Sequence, residues 1–198
     1  LQLQNFDELQ THMVEVFRKY LESKGKTVIC WNDGLTASSD KEIVSQVWKP
    51  LADNDGVKDA NSGRKVIMSQ HFNLYFDYPY AMTPLCKTLR FKPLKGVNKA
   101  NCQNVLGVEG CLWTEYVDSS DKLFFNLLPR LDALAEVAWG YRSKNFAKRL
   151  KNRMETYDNL GLIYNGKALN IKKRKFGVIK KYLNKDANIE LNVYLNRQ

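Results

Sequence analysis

Four short apolar runs punctuate the chain, and each gives way to polar or aromatic residues. They are 27–30 into Trp31-Asn32-Asp33, 43–47 into Trp48, Val66–Met68 into Ser69-Gln70-His71, and Val105–Val108 into Trp113-Thr114-Glu115. Runs this short and this apolar predict buried parallel strands. Between and around them the period changes. Met13, Val14, Phe17, Tyr20 and Leu21 recur at helical spacing over about 7–24, closed by Ser23-Lys24-Gly25 as a glycine cap. Leu128, Leu131, Leu134, Ala135, Val137 and Ala138 give one broad apolar helical face, and 145–160 reads as a further surface helix. Strands alternating with helical or loop segments argue for an α/β fold with parallel strands and right-handed crossovers. A (β/α)8 barrel needs eight strands in roughly 250 residues. Four strand candidates in 198 residues therefore predict half of a TIM (β/α)8 barrel, about four parallel βα units over 1–164, with a basic extension over 165–198.

Composition narrows this picture in two places. The net charge of +10 invites a nucleic-acid reading. From 165 onward, however, nine Lys/Arg stand against two Asp/Glu, so the tail carries +7 and the body only +3. The Lys172–Lys175 run KKRK and the alternating IELNVYL after it are expected to be a solvated basic segment with a small strand. No apolar run approaches the roughly 20 residues of a membrane span, and the opening residues do not show a charged-then-apolar leader pattern. The opening LQLQNFDELQ reads as the start of a helix, as expected of an internal piece or a chain whose leader has been removed. Four cysteines (Cys30, Cys86, Cys102, Cys111) and two histidines (His12, His71) form no metal-binding spacing. Cys30 and Cys111 read as buried small hydrophobes, and a Cys86–Cys102 disulfide stays open.

Chemistry concentrates at the strand ends. In an extended run Trp113 and Glu115 project to the same side. An indole that covers an apolar ring face beside a carboxylate that accepts from hydroxyls is what a sugar site needs. Trp31, Asp33, Trp48, Tyr75, Asp77, Trp113 and Glu115 all fall at or beyond strand C-terminal ends, the face on which barrel active sites lie.

With these residues assembled, the chain resembles glycoside hydrolase family 20, the β-N-acetylhexosaminidases, over about 7–160, and the resemblance implies that this is the C-terminal half of that family's catalytic (β/α)8 barrel. The matching pieces run in order: GKTVICWND, IVSQVW, KVIMSQHFNLYFDYPY, VLGVEGCLWTEYV and LLPRLDALAEVAW. The family often has Trp-Asp-Glu where this chain has Trp31-Asn32-Asp33. The resemblance implies that Trp31, Trp48 and Trp113 wall the N-acetyl group and the sugar ring. It implies that Tyr75 hydrogen-bonds the acetamido oxygen, and that Asp77 and Glu115 bind the hydroxyls at C4 and C6. It also implies retaining, substrate-assisted hydrolysis of terminal N-acetylhexosamine, in which the substrate's acetamide forms an oxazolinium intermediate without a cofactor or metal.

The family's adjacent Asp-Glu catalytic pair ends its fourth strand. Here Asp7-Glu8 is the only such dipeptide, and it opens an amphipathic helix, where the dipole favours acids. The catalytic pair is therefore expected upstream of Leu1, and the isolated chain is expected to be inactive. Its expected partners are N-acetylhexosamine-terminated glycans and the upstream half of the barrel, or a second copy in a dimer, with no nucleic acid and no membrane. The family implies an extracellular, periplasmic or lysosomal setting. A non-catalytic carbohydrate-binding module, and less so a basic nucleic-acid module, are the alternatives.

Overall fold

The computed structural model describes residues 6–36, 38–49, 55–140 and 145–170. Helix α1 (Phe6–Ser23) ends where Gly25 takes φ +68°, a left-handed conformation that costs glycine little, and turns the chain into β1 (Ile29–Trp31). There follow β2 (Val44–Val47), α2 (Gly56–Asn61), β3 (Val66–Met68), α3 (His71–Leu74), α4 (Leu85–Leu89) and β4 (Val105–Val108). Helices α5 (Ser120–Leu127), α6 (Arg130–Ala138) and α7 (Phe146–Asn159) complete the regular elements. The four strands form one parallel sheet in sequence order, β1-β2-β3-β4, as part of a barrel requires.

The central runs form strands because both their faces are covered, whereas Ile29 of β1 and Leu106 of β4 are exposed at the edges. Every residue of β2 is buried, the polar Ser45 and Gln46 included. Val47, Val66 and Met68 pack with Ala60 of α2, Leu74 of α3, Phe91 and Val137 of α6. A second cluster joins Leu85 and Ala133 to Phe146 and Leu150 of α7 and to Ala168. Asn165 also donates its N–H to the Leu128 carbonyl at 3.1 Å, so residues 165–170 dock on the body. The rest of the expected basic extension, 171–198, lies outside the described residues.

Three expectations need correction. The link from β1 to β2 contains only a 3-10 turn (Asn32–Gly34) among its described residues, so this unit lacks a crossover α-helix. The face expected over 128–138 is interrupted: Pro129 separates α5 from α6, Ala133 and Val137 point inward, and Leu131 is exposed. In α1 the apolar stripe of Phe6, Leu9, Met13, Phe17 and Tyr20 faces outward, with Phe6 89% exposed. All four cysteines are free thiols; Cys111 is buried and Cys30 only half-buried.

Candidate active site at the strand ends

Beyond the C-terminal ends of the strands, the chain gathers its aromatic residues. Trp31 ends β1 and Trp48 follows β2 directly. Tyr75 lies further on, past α3, and is drawn back to the sheet by a parallel bridge to Cys111. Gly110 permits this approach, because a Cβ there would stand 2.6 Å from the Phe76 ring. The rings make one connected wall. Trp31 and Trp113 have centroids 5.9 Å apart, Trp113 and Tyr75 6.2 Å, and Tyr75 and Trp48 6.4 Å at 22°. Tyr78 joins at 5.7 Å from Tyr75, and Met82 packs against the same cluster. The four aromatic residues expected from the sequence are therefore brought together.

The local backbone differs from expectation at Trp113. Strand β4 stops at Val108, and Trp113 precedes a 3-10 turn (Thr114–Tyr116), so extended alternation does not carry Trp113 and Glu115 to one face. Glu115, exposed, nevertheless reaches the neighbourhood of Asp77 and raises the pKa of its carboxyl.

Asp77 is the most informative polar group. Burial pushes its carboxyl up to about 6, opposed by backbone hydrogen bonds at Asp77 and Trp113 and by the Arg130 charge. Its Oδ1 is buried without a hydrogen-bond partner among the described residues. An orphan carboxylate oxygen is costly, and a donor such as a ligand hydroxyl would satisfy it.

Sequence reasoning missed the group that holds this segment. Arg130, at the start of α6, is fully buried. It donates to the carbonyls of Asn126 (2.7 Å), Tyr78 (2.8 Å), Thr83 (3.2 Å) and Phe76, so it grips the chain on both sides of Asp77. The guanidinium carbon lies 4.2 Å from the centre of the Tyr80 ring, and desolvation lowers its pKa to about 10. Below the wall, Gln46 Nε2 donates to Ser69 Oγ at 3.2 Å and to Glu109 Oε1 at 2.5 Å. Tyr78 and Met82 were also missed, although the YPYAM stretch carrying them follows Asp77 directly. The Cys111 thiol is pushed up to about 12 by burial, which leaves it inert as a nucleophile.

No group of three or more His, Cys, Asp or Glu able to hold a metal ion occurs among the described residues. None of their helices is long and apolar enough to cross a membrane. A separate groove on α7, lined by Arg149, Asn152, Arg153 and Thr156, has no aromatic wall. Its arginines already pair with Glu136 and Asp132.

Sequence comparison decides the family. The profile for "Glycosyl hydrolase family 20, catalytic domain" matches residues 1–142. The chain belongs to glycosyl hydrolase family 20. Among curated members of the family, it is 28% identical to a β-hexosaminidase of Porphyromonas gingivalis over 82% of this chain and 23% of that one. It is 31% identical to β-hexosaminidase subunit B2 of Dictyostelium discoideum over 67% of this chain and 24% of that one. The chain thus spans about a quarter of the length of these relatives. Its fold superposes on the family 20 exo-β-N-acetylglucosaminidase of Vibrio harveyi, solved with N-acetylglucosamine. The TM-score is 0.72 at 23% identity, covering 82% of this chain and 28% of that one. The Flavobacterium johnsoniae chitobiase gives a TM-score of 0.67 at 26% identity, covering 81% and 25%.

Proposed function

We propose that this chain supplies the sugar-holding side of a β-N-acetylhexosaminidase active site, one that removes terminal N-acetylhexosamine with retention by substrate assistance. The observation that carries the reading is the unpartnered Asp77 Oδ1 beside a continuous wall of Trp48, Tyr75, Trp113 and Trp31. Indole faces cover the apolar side of a pyranose, Tyr75 O–H donates to the acetamide oxygen, and Asp77 and Glu115 accept from hydroxyls. The acetamide oxygen attacks the anomeric carbon to form the oxazolinium, while an acid protonates the leaving oxygen. That acid and the carboxylate that orients the acetamide are the Asp-Glu pair of the preceding barrel units. Asp7 and Glu8 lie in the first turn of α1, a helix placed ahead of the first strand. The partner is the upstream half of the barrel, or a second copy, and it covers the outward stripe of α1 and the outer edges of β1 and β4, which pair with no further strand among the described residues.

Turnover of a chromogenic N-acetylglucosaminide tests this. The chain alone hydrolyses it no faster than buffer, since general acid catalysis alone contributes about 10²–10⁴-fold. A chimera that adds the upstream part of the Porphyromonas gingivalis relative turns over, and Tyr75→Phe or Glu115→Ala in that chimera lowers kcat/KM. Robust hydrolysis by residues 1–198, abolished by Glu8→Gln, would overturn the placement of the acid.

A further inference from the structure

We infer that Asn32 and His71 are positioning residues that lock the Trp48 wall in place before any sugar arrives. The purpose of the lock rests on the sugar-binding reading above; its geometry stands independently. The regular ladder between β2 and β3 ends with Ser69 N–H donating to the Val47 carbonyl at 2.8 Å. The peptide groups of Trp48 and Lys49 lie just beyond it, where the Trp48 carbonyl still takes a backbone N–H, from His71, but the Trp48 N–H and the Lys49 carbonyl turn to a side chain.

Two side chains take over from opposite sides. Asn32, fully buried behind β1, accepts the Trp48 N–H on Oδ1 at 3.2 Å and donates Nδ2 to the Lys49 carbonyl at 2.7 Å. Its amide thus acts as one added unit of strand. From the β3 side, the His71 backbone N–H donates to the Trp48 carbonyl at 2.8 Å. The His71 ring places Nδ1 2.9 Å from the same oxygen. A carbonyl only accepts, so the ring proton sits on Nδ1 and the ring plane is fixed. In that orientation the imidazole stands edge-on to Trp48 at 5.6 Å, Tyr75 at 6.2 Å and Tyr78 at 6.5 Å. It therefore wedges three rings of the wall while it holds the backbone of one. At position 32 only an amide serves both bonds, because a carboxylate has no donor for the Lys49 carbonyl and would repel it.

Indole N–H resonances of the full chain, followed by NMR without ligand and then with N-acetylglucosamine, test the lock. In the wild type Trp48 gives one sharp resonance. His71→Ala and Asn32→Asp broaden or split it and leave the Trp113 resonance unchanged. His71→Asn, whose amide nitrogen occupies the Nδ1 position, restores the sharp signal. Asn32→Asp is isosteric, and His71→Asn keeps a donor at the Nδ1 position while losing the far edge of the ring. The comparison therefore separates the hydrogen bond from the packing and does not depend on a variant that unfolds. A single sharp Trp48 resonance in both His71→Ala and Asn32→Asp overturns the inference, whether or not sugar binds.

Titration adds a second arm. Loss of one net hydrogen bond corresponds to about fivefold weaker binding in His71→Ala. That loss disappears in a Trp48→Ala background if His71 acts through Trp48. The same loss in both backgrounds overturns the inference and leaves the sugar-binding reading intact. Absence of wild-type binding sinks that reading, and the ligand-free resonances still decide the lock.

Discussion

Two of the described arginines are buried, and they do different things with the same chemistry. Arg64, just ahead of β3, donates to the carbonyls of Ser39, Asp40 and Ile43 at 2.6–3.0 Å and faces the Asp59 carboxylate at 3.4 Å. It closes the end of the sheet where the strands begin, and its charge faces a carboxylate directly, although Arg64 Nε and Asp59 Oδ2 make no hydrogen bond among the described residues. Arg130, at the other end, also takes carbonyls, but no carboxylate lies within ion-pair distance of it among the described residues. Its charge is felt instead by Asp77, whose Oδ1 is buried without a hydrogen-bond partner among the described residues. At one end of the sheet the buried charge has an acid within ion-pair distance. At the other it has none among the described residues, which is what the proposed sugar site would use.

The largest effect should come from Arg130→Ala, which leaves several buried carbonyls unpaired. Chemical denaturation should show a loss of about 3–5 kcal/mol. A loss under about 1 kcal/mol would mean that the Phe76–Tyr78 segment is held by something else.

Asp77 comes next. A charged hydrogen bond is worth about 1.5–3 kcal/mol, so Asp77→Asn should weaken N-acetylglucosamine binding by roughly ten- to a hundredfold. Its pKa is raised, to about 6, and this fixes two signs. Between the ordinary carboxyl range and 6, the folded chain holds more protons than the unfolded one, so this group makes stability fall as pH rises through that window. Sugar affinity runs the other way: it is full above about 6 and lost below it as the acceptor is protonated. Isothermal titration across pH 5–8 should show this slope in the wild type and none in Asp77→Asn.

The Arg64–Asp59 pair sharpens the contrast. Burial raises the Asp59 carboxyl, so removing Arg64 alone strands a costly charge. Arg64→Ala combined with Asp59→Ala should be less destabilising than the sum of the single changes, with a coupling of about 0.5–3 kcal/mol. No described partner exists whose removal would relieve Arg130 in that way. The smallest effect belongs to Arg149→Ala on α7. This side chain is 40% exposed and paired with Glu136, so the change in stability should stay within about 1 kcal/mol.

What could be read in the sequence follows from what is local. The strands and their parallel order are carried by short apolar runs, and β3 and β4 fall where those runs lie. The aromatic residues of the wall stand at strand ends, so their convergence follows from the topology. Arg130 could not be read: an arginine early in an amphipathic helix looks like surface, and only distant carbonyls bury it. The turn after Trp113 was hidden for a similar reason, since nothing in LWTEYV marks where extension stops. The outward stripe on α1 has helical period, and period alone says which residues share a face, not what covers it.

The most direct test of the account is an NMR titration of the full chain with N-acetylglucosamine above pH 7. Trp31, Trp48 and Trp113 should shift and saturate, and Trp139, 86% exposed at the end of α6, serves as the internal control. The account predicts shifts at the three wall indoles, none at Trp139, and loss of the response in Asp77→Asn. If the wall indoles do not move in the chain or in the barrel-completed chimera, or if all four move alike, this end of the sheet is not a sugar site.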